Sequence, residues 1–343
     1  MTRLILYIGA LAQGSTTKSR MRSLQSLGWQ VLPFDTTPYL LEGNRAFRSI
    51  GARFNIGLGV SKLNKNLISW ATNLSTDVWM IWVDKGTWIY PETIQQLKYH
   101  FRCMSIHYTP DAQILSQRSR HFIKSLVDYD FCVTTKEWEI DEYYRNGAKK
   151  VFLTLQGYSD DFVLRSPSPS ELLEYEADVC FVGHFQNHYR ARLEAIVREN
   201  IALKVRGDQW LKKRKRMPLL SGCIGHGLWG DSYPAALSCA KIGLGLLGKH
   251  IPETSTTRSF EIPAVGTFLL AERTTIHQEL FEEEVEAEFF ADDLELIDKI
   301  KFYLKNIRSR ERIASAGYQR CIKSGYSSRK LLEALMANVI REI

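Results

Sequence analysis

Short apolar runs recur along the first half of the chain, separated by segments with helical spacing. Leu4–Gly9 is apolar at consecutive positions, the pattern of a strand covered on both faces. Gln13–Lys18 reads as a polar loop, Ser19–Leu27 as a helix stopped by Gly28, and Gln30–Phe34 as a second strand. Val78–Val83 is a strand running into Asp84, and Pro91–Phe101 is a helix with proline in its first turn. Met104–Tyr108, Phe131–Thr134 and Val151–Leu155 are further strands, with a helix over Glu137–Asn146. Ser166-Pro-Ser-Pro-Ser170 breaks the composition and reads as a linker. The alternation then restarts with strands at Val179–Val182, Leu203–Arg206, Ile242–Leu247, Phe268–Ala271 and Glu288–Phe290. Helices are predicted over His188–Glu199, Thr256–Val265, Asp293–Asn306, Ser309–Lys323 and Ser328–Arg341. Covered strands separated by helices mean parallel, doubly wound α/β sheets. The pattern predicts two Rossmann-like domains, 1–165 and 171–326, with a terminal helix over 327–343. Ligands of such sheets bind beyond the carboxyl ends of the strands, so the expected site is a cleft between two facing domains.

Composition narrows the class. With 343 residues, 45% hydrophobic and 24% charged, the chain has the make-up of a soluble protein of two domains. No apolar run approaches the roughly 20 residues of a membrane-spanning helix. The apolar start flows directly into a strand–helix unit, which reads as a first strand rather than a secretory signal. Six cysteines form no C-x-x-C pair, so the expectation is reduced thiols, a cytoplasmic location and no zinc site. Five of the seven net positive charges lie in Lys212–Arg216. That run would suit an anionic membrane surface, a polyanionic acceptor or a nucleic acid, or it is a solvated loop.

The stretch Glu253–Leu270 carries the most chemistry. Glu253 and Glu261 flank a hydroxyl-rich segment that should start a helix, followed by Gly266 and an apolar strand. Free N–H groups at a helix start suit phosphate, and carboxylates suit sugar hydroxyls. Arg258 would clamp a diphosphate with two parallel hydrogen bonds. Together these residues point to a nucleotide-sugar. No G-x-G-x-x-G follows the first strand, which disfavours a dinucleotide oxidoreductase. Gly243–Lys249 spells G-x-x-x-x-G-K but has His250 where the phosphate loop needs Ser or Thr, and reads as a packed strand.

The segment Tyr233–Arg273 resembles the C-terminal domain of the CgeB-like (spore maturation protein) family of GT-B glycosyltransferases, a GT4-like domain. The resemblance continues through His277–Asp293 and the Gly317–Tyr326 region. Upstream it includes Trp82–Gly86, His107–Asp111, Tyr129–Thr135 and Gly157–Tyr158. It implies a metal-independent, cofactor-free transfer of a sugar from a nucleotide-sugar donor, of hexosyltransferase type, to an unidentified acceptor. It also implies that the terminal helix crosses back to the first domain. On this likeness Glu261 holds the donor ribose, and Glu253 lies near the transferred sugar. Thr256, Thr257 and Arg258 meet the diphosphate. Gly183 and His184 match the glycine-rich turn of the donor domain, with Arg190 as a substitute for the arginine expected there. Trp210, in a G-x-x-W pattern, would border the nucleobase or simply pack.

On the acceptor side the candidates are Gly14, Ser15 and Thr16, or else these form an ordinary strand-to-helix turn. Asp84, His107 and Asp111 stand at strand ends, the edge for chemistry. His107 would serve an inverting displacement as base, or is a satisfied interior histidine. Among the tryptophans, Trp88 is the ligand candidate, with Trp79 and Trp82 in the core. Two other functions fit parts of the pattern. A nucleotide-sugar epimerase of the same fold would need cleft carboxylates and no acceptor. A nucleic-acid-binding protein using Lys212–Arg216 would need basic and aromatic residues spread over a broad face.

Overall fold

The computed structural model describes residues 3–40, 55–117 and 119–343. The chain divides into two compact units, Met1–Gln156 with Ser328–Ile343, and Gly157–Ser327. In the first unit the strands are β1 (Leu4–Gly9), β2 (Gln30–Asp35), β3 (Met80–Asp84), β4 (Met104–Thr109), β5 (Phe131–Thr134) and β6 (Val151–Leu153). They lie in the order β2-β1-β3-β4-β5-β6, every neighbouring pair parallel. In the second unit β7 (Ala177–Val182), β8 (Leu203–Arg206), β9 (Ile224–Gly225), β10 (Ala240–Gly245), β11 (Phe268–Glu272) and β12 (Glu288–Phe290) take the order β12-β11-β10-β7-β8-β9. These pairs are parallel as well. Each chain of strands reverses direction beside its first strand, the place where doubly wound sheets bind ligands.

Helices cover both faces of the first sheet. Leu63, Leu67, Ile94 and Leu97 pack on one side with Leu6, Ile8, Ile81 and Val83. On the other side the helices Thr16–Ser26 and Ser328–Arg341 meet Ile5, Tyr7, Met80, Trp82 and Tyr108. The terminal helix contributes Leu332, Leu335, Met336 and Val339, an i, i+3, i+4, i+7 stripe. Burying four such side chains is worth about 6–12 kcal/mol as an upper bound.

The Ser-Pro run is not a linker. The chain passes from one unit to the other at Gln156–Gly157, ahead of it. Ser168 caps the helix Pro169–Tyr175, accepting from the Glu171 N–H while Glu171 reaches back to the Ser168 N–H. Serine, then proline at the first helical position, then glutamate is a helix-starting signal. The helix predicted over Thr256–Val265 is shorter, Arg258–Ala264. In β10, Gly243 and Gly245 face Ile262 and Ala271 so closely that a β-carbon would press on either neighbour, so the first glycine of the G-x-x-x-x-G-K spelling is there for packing.

Candidate functional site

The residues that converge best belong to the second unit, at the carboxyl ends of β7, β8 and β10. Gly183 follows β7 and donates its N–H to the Arg206 carbonyl. Gly207 follows β8 with φ of +145°, and a β-carbon there would collide with the Gly183 carbonyl oxygen. Glycine at this crossing lets two backbones touch. Arg258 lies over the pair: a β-carbon on Gly183 would be 3.0 Å from Arg258 Nη1. The guanidinium sits 5.4 Å from the Phe181 ring centre and donates through Nη2 to the Leu246 carbonyl at 2.6 Å. Arg258 Nε is buried with no hydrogen-bond partner among the described residues.

One turn further along the same helix stands Glu261, only 5% exposed. The Tyr233 hydroxyl donates to Glu261 Oε2 at 2.6 Å. Burial pushes the Glu261 carboxyl above its ordinary range, while Tyr233, the Thr257 hydroxyl and Arg258 pull it down. Tyr233 itself is pushed well above the usual phenol range by burial and by the adjacent carboxylate. Phe162 braces its ring edge-on at 5.1 Å. Glu261 is therefore a held acceptor, its geometry set before any ligand arrives. Glu253 sits at the far end of the preceding loop and accepts the Gly248 N–H at 2.8 Å.

The start of this helix differs from expectation. The Thr256 N–H is taken by Ser259 Oγ at 3.1 Å. Ser259 Oγ in turn lies 2.7 Å from His277 Nε2, and His277 Nδ1 lies 2.6 Å from the Glu272 carbonyl. Only an Nδ1–H tautomer satisfies both ends, so Nε2 accepts and Ser259 donates. Burial lowers the His277 pKa, consistent with a neutral ring. This relay closes the Thr256 N–H that the sequence offered to phosphate. What remains is the Thr256 side chain: its Oγ1 is buried and has no partner among the described residues, with the residue 6% exposed. Thr257 is turned to Glu261.

Three donor-side candidates have other duties. Arg190 pairs along its own helix with Glu194, Nε to Oε1 at 2.7 Å, and so does not replace the missing arginine. Trp210 is fully buried and donates Nε1–H to the Gly183 carbonyl at 2.8 Å. It braces the glycine turn from inside, between the edges of Phe181 and Phe185, and cannot stack on a ligand. His184 is exposed and lies 3.9 Å from Asp208. An aromatic that does face solvent on this side is Trp229, 61% exposed. A β-carbon on Gly227 would lie 3.5 Å from Trp229 Nε1 and 3.1 Å from Asp208 Oδ1, beside Gly207. The Gly-Leu-Trp-Gly string at 227–230 was the signal for it; Tyr233 gave no local signal, because its partner is 28 residues away.

In the first unit, Asp84 is a structural anion rather than an acceptor contact. Arg20 grips it with two bonds of 2.7 and 2.9 Å, and Tyr7 and Thr17 donate at 2.8 and 3.0 Å. All its capacity is spent, and these partners hold its carboxyl below the usual range against the burial that raises it. His107 is likewise interior. Its Nε2 lies 2.9 Å from the Lys85 carbonyl, and Phe122 and Tyr129 pack on the ring. Burial lowers its pKa to about 4, so it is a poor base and has no path to a substrate. Asp111 is partly exposed and paired with Lys85 at 2.6 Å. Trp88 is buried in the core, not presented to a ligand. Gly14, with φ of +77°, and Thr16 are exposed; Ser15 caps the helix by accepting the Lys18 N–H at 3.2 Å.

Among the described residues no group of three or more His, Cys, Asp or Glu side chains is arranged to hold a metal ion. Among the same residues no helix is long and apolar enough to cross a membrane.

No curated protein matches the sequence. Among solved structures, HepE from Anabaena in complex with UDP and glucose matches with a TM-score of 0.67 at 10% identity, over 99% of this chain and 100% of that one. A sucrose-phosphate synthase from Thermosynechococcus elongatus matches with 0.67 at 15% identity, over 99% of both chains. A putative UDP-N-acetylglucosamine 2-epimerase from Listeria monocytogenes matches with 0.59 at 12% identity, over 99% and 96%. The two parallel six-stranded sheets thus correspond to the two Rossmann-like domains of the GT-B fold. Residues 187–337 match the family described as glycosyl transferase-like, a span that takes in Tyr233, Thr256, Arg258 and Glu261.

Proposed function

We propose that this protein is a glycosyltransferase that takes its sugar from a nucleotide-sugar bound in the second unit. The observation that carries the reading is Glu261, a buried carboxylate held by Tyr233 one turn from Arg258. A fixed acceptor pair of this kind suits vicinal hydroxyls such as those of a ribose. Arg258 Nε and Thr256 Oγ1 are buried groups in need of a partner, and phosphate oxygens would supply one. Gly183 and Gly207 would let a diphosphate approach the backbone. Trp229 would stack on the base in place of Trp210. Glu253 is the candidate beside the transferred hexosyl group, and the exposed Gly14 and Thr16, with the half-buried Ser15 between them, are the acceptor candidates. The match of residues 187–337 to glycosyl transferase-like proteins supports this reading.

In this reading protein cations balance the leaving diphosphate and no metal is required, so activity should survive a chelator. The six free cysteines fit a cytoplasmic setting. The test is a thermal-shift screen of nucleotides and nucleotide-sugars, because a ligand that binds only the native state raises its stability. Glu261→Ala should abolish the largest shift; an intact shift would remove the donor site from this segment. The likeness to a putative epimerase supports a second reading, a nucleotide-sugar epimerase. Product analysis with and without added acceptors separates the two, since only an epimerase turns over alone.

A further inference from the structure

The run Lys212–Arg216 has no part in the donor site. It starts in the short helix Trp210–Lys213 and continues through the turn Arg214–Arg216. Trp210 anchors the turn in the core, and Lys213 lies 4.5 Å from the centre of the Phe185 ring. Lys212, Arg214, Lys215 and Arg216 are exposed. Among the described residues, no ion pair or side-chain hydrogen bond engages any of the five.

The acids of the packed helix Asn187–Arg198 and its end do not neutralise them. Glu194 is held by Arg190 and Arg198, and Glu199 by Lys301. Immediately after the run comes the turn Pro218–Leu220. Met217 and Leu220 enter the core, whereas Leu219 is 44% exposed. An aliphatic tip is thereby set beside four unpaired cations.

We propose that the segment Lys212–Leu219 docks on an anionic lipid surface, with Leu219 entering the interface and Lys212, Arg214, Lys215 and Arg216 meeting the headgroups. Long basic side chains around an apolar tip are suited to that boundary, since their stems lie along the apolar layer while the charges stay wet. A nucleic acid would call instead for exposed rings to stack between the charges. The ring within this segment's own helix, Trp210, lies in the core, and the ring that its lysine touches, Phe185, is under Lys213.

The test uses the full chain and sedimented vesicles, one set of phosphatidylcholine and one with phosphatidylglycerol as about a third of the lipid. Binding should be confined to the anionic set and should fall steeply as salt shortens the screening length. Each charge near the surface is worth about fivefold in partitioning, so Lys212→Gln/Arg214→Gln/Lys215→Gln/Arg216→Gln should weaken binding by roughly a hundredfold or more. Lys213 is kept because it covers Phe185. Leu219→Ser should weaken binding without altering the salt dependence. Equal sedimentation with both vesicle sets, or unchanged binding by the fourfold variant, overturns the proposal. So does a gel shift of RNA or DNA, lost in the fourfold variant, without any vesicle binding.

Discussion

Tyr233→Phe tests the site at its most specific contact. The change keeps the ring that Phe162 braces and deletes one hydroxyl, the donor at 2.6 Å from Glu261 Oε2. A hydrogen bond to a charged group contributes about 1.5–3 kcal/mol, and the carboxylate left behind stays buried. For a unit of this size that is a fall in midpoint of about 3–12 °C. The loss should depend on pH in a definite direction. Burial already raises the Glu261 carboxyl, and a raised carboxyl destabilises the fold above its folded value and ceases to do so as pH falls through it. Removing the Tyr233 hydroxyl raises it further. The defect is then largest near neutrality and shrinks on acidification, when a protonated Glu261 no longer needs a donor. Urea unfolding at pH 7 and pH 5 measures this. In a Glu261→Gln background the same tyrosine change should cost only about 0.5–1.5 kcal/mol, a neutral hydrogen bond. Equal losses in both backgrounds, or a loss that grows with acid, would refute the idea that Tyr233 holds a carboxylate.

Other consequences are simpler to measure. Arg20→Met should cost about 3–5 kcal/mol in urea unfolding, because it strands Asp84 inside the first unit. Asp84 has a lowered pKa, so its contribution is full above the ordinary Asp value and is lost as pH falls below about 4. His107, with its pKa lowered to about 4, destabilises the fold as pH falls from about 6.5, so His107→Gln should flatten that part of a stability–pH curve. The same variant should leave the neutral limb of any rate–pH profile in place. Gly207→Ala should lower the midpoint and nucleotide binding together, since its β-carbon must displace the Gly183 turn. Circular dichroism melting with and without nucleotide reads both effects.

The strands were legible because interior strands advertise themselves as nearly unbroken apolar runs, as β1 and β5 do at Leu4–Gly9 and Phe131–Thr134, while β8 shows itself by alternation at Leu203–Arg206. Sequence patterns reach only as far as their own period. Asp84 looks the same whether it meets a substrate or a salt bridge; Arg20, 64 residues away, decides which. The helix start near Thr256 depends on His277, and the fate of Trp210 on Gly183. These are contacts made by the sheet, not by the segment. The misread Ser-Pro run is a different case, for the Ser168–Glu171 spacing was a local signal outweighed by composition.

The apolar stripe of the helix Ser328–Arg341 fixes an order of events during synthesis. Residues 157–327 are a continuous segment, and Tyr158 donates to the Tyr326 carbonyl at 3.1 Å, so its two ends are fastened side by side. That segment holds all it needs to close once Tyr326 has left the ribosome. The first unit, though made earlier, has only the helix Thr16–Ser26 over the face that holds Ile5, Trp82 and Tyr108 until residues 328–343 emerge. The earlier-made half is therefore completed after the later-made one, and its half-covered sheet face is what a chaperone would meet on the nascent chain.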